Sequence, residues 1–301
     1  MLTARRKCCP DFLQQLSPHS QLLGICAGLI TLALLSFTAH STPLPQPGNT
    51  RIAIIIDDMG TRSTTGNALI HLPYPLTFSF LPYRPHTVQL ANVAHDLGRQ
   101  IMLHAPMENL GGAELGPGAL TSEMGRMQLV LSLQRQLKSV PFVEGVNNHM
   151  GSALTQNSTA MHWFMEELSE YPLFFIDSRT IAETLASKVA GQYGIPTQER
   201  DVFLDHDLSE AAIESQFERL IQLSRIRGHA LAIGHPHPQT YRVLSRLLPR
   251  LVDSGITLVS AGDLLTVAPD TPPSKKENLS PEPIELILTQ SRLSEEIPSK
   301  D

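Results

Sequence analysis

The sequence predicts an α/β protein in which about seven mostly parallel strands close into a (β/α) barrel. Three observations carry that prediction. Ile52 to Ile56 is an unbroken apolar run of strand length, which suits a parallel strand covered on both faces. Short apolar runs then alternate with amphipathic stretches over roughly 210 residues, the pattern of a parallel sheet with crossover helices. Acids and histidines recur just past the ends of those runs, where α/β sheets keep their sites.

Strand-like runs lie at Ile52–Ile56, Leu76–Leu81, Gln100–Leu103, Val143–Val146, Leu173–Ile176, Val202–Leu204, Ala230–Ile233 and Thr257–Val259. Helices are expected at Ser122–Lys138, Thr159–Glu170, Phe217–Arg227 and Tyr241–Asp253, from apolar residues three and four apart. Seven or eight strands favour closure over an open sheet. No internal repeat is apparent.

The ends of the chain differ in composition. Arg5-Arg6-Lys7 followed by the apolar Leu22–Phe37 and small residues up to Ser41 reads as an export signal over residues 1–41, since a full span needs about 17–25 apolar residues. An uncleaved N-terminal anchor is the alternative, attaching the chain to a membrane only through 22–37. Either reading puts the rest outside the cytoplasm, in a periplasmic or other extracytoplasmic space. Residues 42–50 read as a Pro-rich linker, 51–268 as the globular domain, and 269–301, rich in Pro, Ser, Glu and Lys, as a disordered tail. The sequence names no protein partner for that tail.

Composition excludes several functions. Cys8, Cys9 and Cys26 all precede the domain, so no disulfide framework or thiolate metal site is available to it. The net charge is −6 and no basic stripe appears, so a nucleic-acid partner is not expected.

The chemistry-bearing residues fall in five segments. Asp57-Asp58 ends the first apolar run, and because neighbours on an extended chain point apart, one acid can bind a metal while the other faces water or substrate; a plain capping role is the alternative. His104 follows Ile101-Met102-Leu103 and precedes a proline expected to stop the strand. Gly145-Val-Asn147-Asn148-His149-Met-Gly-Ser has a composition suited to lining a site, with His149 as a metal ligand and the two amides orienting it or the substrate. Phe174-Phe-Ile-Asp177-Ser-Arg179 ends in an acid and a guanidinium that can serve substrate or pair internally. His235-Pro-His237-Pro closes another apolar run, one imidazole as proton donor and one as its structural partner, or both as metal ligands. Arg200-Asp201 and Asp205-His206-Asp207 repeat the pattern with less specificity.

Taken in order, Ile-Ile-Ile-Asp57-Asp58-Met-Gly, His104-Ala-Pro-Met, Gly-Val-Asn-Asn-His149-Met-Gly-Ser, Phe-Phe-Ile-Asp177-Ser-Arg-Thr and Ala-Ile-Gly-His235-Pro-His resemble the divergent polysaccharide deacetylase family, related to NodB-type carbohydrate esterases. The resemblance spans roughly Arg51 to Val267. It implies a distorted barrel and a metal-dependent hydrolase removing acetyl groups from a cell-envelope polysaccharide. It also implies roles: Asp57 as catalytic base, Asp58 as ligand of a divalent metal, Zn2+ first, and His235 as acid; the segments themselves add His104 and His149 as further ligands and Asn147, Asn148, Asp177, Arg179 and His237 around substrate or behind the ligands. The better-known relatives hold their metal with a His-x-x-x-His element, and here the position four after His104 is Glu108. His104 and His149 from separate loops are expected to replace it.

That departure keeps a second reading open, a catalytically inactive envelope protein that binds glycan or protein. A third is a hydrolase acting on another bond, for which a second carboxylate across the pocket, Asp177 for instance, would be the signature.

Overall fold

The computed structural model describes residues 50–265 of the 301. The expected export signal or anchor, the linker up to Asn49 and the tail lie outside the described residues. Among the described residues no helix is long and apolar enough to cross a membrane.

Among the described residues nine strands form one sheet: β1 (Thr50–Met59), β2 (Thr77–Phe80), β3 (Gln100–Met107), β4 (Gly145–Met150), β5 (Phe174–Asp177), β6 (Thr197–Glu199), β7 (Val202–Phe203), β8 (His229–Gly234) and β9 (Ile256–Val259). Eight stand in the order β6, β5, β4, β3, β2, β1, β8, β7, and β9 pairs with the start of β1. Every pairing is parallel. The edge strands β6 and β7 are separated in sequence only by Arg200 and Asp201, so the sheet must curl until its two edges nearly meet. This is the expected α/β barrel, distorted by the unpaired seam between β6 and β7. The additional strand is β6, whose Thr-Gln-Glu has no apolar run to reveal it.

Helices α1 (Ser63–Ile70), α2 (Thr87–Asp96), α3 (Arg126–Ser139), α4 (Ser158–Leu168), α5 (Ala186–Gln192), α6 (Glu210–Arg227) and α7 (Pro238–Leu247) fill the crossovers, and α8 (Ala261–Leu265) follows β9. Asn157 and Ser209 cap α4 and α6 by accepting from Ala160 and Ala212 N–H, which stabilises each helix start by about 1 kcal/mol. The helix expected over Tyr241–Asp253 changes to 3-10 geometry from Leu248 to Ser254, because Pro249 lacks the N–H that α-helical bonding needs there.

The period of two along each strand divides the core. Ile52, Ile54 and Ile56 join the large cluster that also contains the buried helix side chains, whereas Ala53 and Ile55 belong to a small inner cluster with Met102, Phe174, Ile176, Leu231, Ile233, Ala261 and Leu264. The second cluster fills the bottom of the barrel. There α8 plugs it, with Ala261 N–H donating to Thr77 Oγ1 and Gly262 N–H to Gln100 Oε1. Gly145 makes room inside, since a methyl group there would run into the Phe174 ring. Continuing the inward alternation upward by two residues from Ile55, Thr77, Met102, Gly145 and Ile233 reaches Asp57, Ser79, His104, Asn147 and His235. An apolar floor therefore lies beneath a polar layer.

Candidate functional site

Asp57 and Asp58 do not diverge as neighbours on a regular strand would. Between Ile56 and Met59 β1 takes three steps against two on β2, a bulge, and Asp58 sits in the left-handed region at φ 56°, which Asp tolerates better than most residues. The extra residue turns Asp58 back toward the lumen. His104 Nε2 consequently stands 3.6 Å from Asp57 Oδ2 and 3.3 Å from Asp58 Oδ1. Met150 and Arg179, at the ends of β4 and β5, are likewise left-handed at φ 54° and 46°. Such strain concentrates at functional rims.

His104 lies within β3, and the strand runs on through Pro106 to Met107 instead of stopping at the proline. The Pro106 carbonyl accepts from Leu120 N–H on the side that β2, whose pairing ends at Leu103, no longer reaches. No ladder donor is lost. An extended strand also carries the fourth residue onward about 13 Å away, so Glu108 is no substitute for an imidazole; its carboxylate accepts from Ser122 N–H in the following loop. The second imidazole comes from β4, which extends through the Asn-Asn-His segment to Met150. His104 and His149 thus stand on adjacent strands and not on loops, with Pro106 paired to His149.

Asp58 Oδ1, His104 Nε2 and His149 Nδ1 form a triangle with sides of 3.3, 3.0 and 3.1 Å. Asp58 Oδ1 is buried and receives no well-directed hydrogen bond. A tetrahedral cation with ligands at about 2.0–2.1 Å has ligand-to-ligand edges of roughly 3.3–3.4 Å. The three donors, one oxygen and two nitrogens, fit a zinc-sized divalent ion with a position left open. Burial opposes ionisation of Asp58, but contact with His104 and His149 holds its carboxyl well below the usual carboxylate range. Burial likewise disfavours a charged His104, yet Asp57 and Asp58 raise its pKa.

Asp57 is 2% exposed. Burial pushes its pKa up, against the opposing pull of His104, His235 and the Asn147 hydrogen bond. Asn147 Nδ2 donates to Asp57 Oδ1 at 2.8 Å, while Asn147 Oδ1 lies 2.8 Å from His104 Nδ1 and accepts from Ser79 Oγ at 2.6 Å. Ile56 pairs with Gly234, so the next residue on each strand, Asp57 and His235, share one stretch of rim.

His235 is held by Asp205, whose Oδ2 accepts the His235 backbone N–H at 2.6 Å and the Thr240 hydroxyl at 2.7 Å, and whose Oδ1 lies 2.9 Å from His235 Nδ1. Burial works against a charged imidazole, but Asp205 overcomes it and His235 is pushed up to about 9. His237 occupies the position just before α7 without a side-chain capping bond, its ring 6.0 Å from that of His235, and with Asp205 and His235 it makes a second group of convergent donors. In that group Asp205 already accepts three hydrogen bonds, so its carboxylate is committed.

The remaining expected residues brace the rim. Asn148 accepts from Ser178 N–H and donates to the Met150 carbonyl, tying the end of β4 to the loop after β5. Asp177, fully buried, accepts from Arg179 N–H, Thr184 Oγ1 and Ser187 N–H. Its carboxylate organises the β5–α5 loop. Arg179 pairs with Glu199 at 3.2 Å and not with Asp177. Sequence reasoning passed over Ser79 and Thr240 and underweighted Asp205. A period-two signal existed for Ser79, since Thr77 and Ser79 are the polar members of a buried Thr-Phe-Ser-Phe strand.

Known proteins resemble this chain in sequence and in fold. Residues 54–265 match the model of the family described as divergent polysaccharide deacetylase. The uncharacterized protein YibQ of Escherichia coli (strain K12) is 38% identical over 245 residues, covering 80% of this chain and 76% of that protein. An uncharacterized protein of Haemophilus influenzae is 34% identical over 239 residues, covering 78% of this chain and 85% of its own. The crystal structure of an uncharacterized protein from Agrobacterium tumefaciens C58 superposes with a TM-score of 0.69 at 24% identity, over 71% of this chain and 89% of that one, which speaks to the fold alone. On the strength of the family match and of these relatives, the chain belongs to the divergent polysaccharide deacetylase family.

Proposed function

We propose that this protein is an exported, metal-dependent deacetylase that hydrolyses N- or O-acetyl groups on a cell-envelope polysaccharide. The observation that carries the reading is the triangle of Asp58 Oδ1, His104 Nε2 and His149 Nδ1 beside a carboxylate and an imidazole that are not part of it. Asp58, His104 and His149 would hold the ion, with zinc the best match to the donor set. The chemistry such an ion supplies is Lewis acidity toward an acetyl carbonyl and toward water.

Asp57 acts as the base. Its Oδ1 is occupied by Asn147, so Oδ2 takes the proton of the attacking water. His235 acts as the acid: with Nδ1 held by Asp205, Nε2 presents a proton to the departing amine or alcohol, and a pKa near 9 keeps it protonated at neutral pH. Buried Asp57 and half-buried His235 on neighbouring strand ends give the acid and base of one hydrolysis adjacent positions.

Export is supported by the basic, apolar and small-residue order of positions 1–41, and places the substrate in the envelope. The alternative of an inactive glycan- or protein-binding member drew on the missing histidine at Glu108; the imidazole pair of His104 and His149 counts against it.

The test is acetate release from acetylated envelope glycans by zinc-loaded protein. Turnover that disappears in Asp57→Asn, with metal retained, supports the reading. Glycan binding without acetate release would favour the inactive member.

A further inference from the structure

We propose that Asn147, clamped by Ser79, is a positioning residue that keeps a proton on His104 Nδ1, and so presents the Nε2 lone pair to the metal while tethering Asp57. This rests on the hydrolase reading above. It adds a single amide that sets the base and a metal ligand together.

Asp57, Ser79, His104 and Asn147 come from four successive strands, β1 to β4, and all face the lumen. Asn147 is fully buried, so its polar atoms have only protein partners to choose from. Its carbonyl oxygen uses both lone pairs, one toward Ser79 Oγ at 2.6 Å and one toward His104 Nδ1 at 2.8 Å. Its amide nitrogen donates to Asp57 Oδ1 at 2.8 Å.

The amide has two possible orientations, and its neighbours select one. Turned over, the carbonyl would face the Asp57 carboxylate, setting two acceptors against each other at hydrogen-bond distance. With the carbonyl toward His104 instead, Nδ1 must be a donor, and in the neutral ring Nε2 then has the lone pair. Nε2 is the atom that lies 3.3 Å from Asp58 Oδ1 and 3.1 Å from His149 Nδ1. Ser79 adds a second donor to the carbonyl, and so reinforces the orientation that Asp57 selects.

The experiment uses the full chain labelled with 15N at histidine. Long-range proton–nitrogen spectra with and without zinc locate the His104 proton, and chelator competition measures zinc affinity. In the wild type His104 Nδ1 keeps its proton in both states. Asn147→Ala and Ser79→Ala weaken zinc binding, by about 10–100-fold in the first and less in the second; in Asn147→Ala the His104 Nδ1 proton is no longer held in one position, and in Ser79→Ala the His104 Nδ1 signal shifts while its proton stays.

Ser79→Ala removes one hydroxyl, so it serves as the test should Asn147→Ala fail to fold. An unprotonated Nδ1 in the wild type, or folded variants with unchanged affinity and unchanged spectra, would overturn the proposal while zinc binding left the hydrolase reading standing. A wild type that takes up no zinc would defeat the hydrolase reading. In that case the zinc-free spectra still decide whether Asn147 fixes the ring.

Discussion

Asp205 accepts two hydrogen bonds from one residue: His235 donates its backbone N–H to Oδ2 at 2.6 Å and approaches Oδ1 with Nδ1 at 2.9 Å. Asp205 is 4% exposed, and its carboxyl is held below its usual pKa, since His235 outweighs the effect of burial. Backbone and ring are fixed by one group, so the imidazole has little freedom except to present Nε2 to the lumen.

Asp205→Asn should therefore lower the His235 pKa from about 9 toward the ordinary value near 6.5. A raised histidine pKa adds stability that is complete below about pH 6.5 and fades as pH rises through 9. The variant is expected to lose roughly 2–4 kcal/mol at pH 6 and less at pH 10, measured by urea unfolding. If His235 is the acid of the proposed deacetylation, acetate release should lose its alkaline side about two pH units earlier. A profile unmoved by Asp205→Asn would remove His235 from the role of acid.

Asp57 and Asp58 are adjacent in sequence, and the proposed mechanism gives them separate roles. Asp57→Asn should lower turnover by about 10²–10⁴-fold with metal retained, while Asp58→Ala should lose the metal. Elemental analysis alongside acetate assays separates the two, and loss of metal in both variants would merge the roles.

Asp177 provides a contrast, because its carboxylate is bonded within the β5–α5 loop. Removing a fully buried acceptor of three hydrogen bonds in Asp177→Ala should cost about 2–4 kcal/mol in unfolding free energy. Metal content of the folded protein should not change. Loss of turnover with stability intact would instead support a direct chemical role across the pocket.

Gly145 tests the barrel interior. A methyl group there meets the Phe174 ring in the inner cluster, and overpacking of this kind costs about 1–3 kcal/mol. Gly145→Ala should unfold at lower urea concentration. The smaller Phe174→Leu should recover part of the loss in the double variant.

The barrel was legible because its signal is repetitive: apolar runs such as Ile52–Ile56 and Ala230–Ile233 recur between amphipathic stretches, and parallel strands buried on both faces require that. β6 was not legible, since Thr197-Gln198-Glu199 is half-buried and polar and owes its extended form to pairing with β5. At the site, Asp57, Asp58, His104, His149 and His235 stood out as polar residues following apolar runs. What brings the first two together did not, because a bulge is a difference of register between two strands. Ser79 and Asp205 were obscured for a related reason. A serine in a short strand and one acid among Asp201, Asp205 and Asp207 acquire meaning only from partners 68 and 30 residues away.

The most direct test of the account is zinc content per chain by elemental mass spectrometry, on untagged protein supplied with zinc and then desalted. The triangle of Asp58, His104 and His149 predicts close to one equivalent in the wild type and almost none in His149→Ala. A folded wild-type protein without zinc, or a His149→Ala variant that retains it, would contradict the assignment.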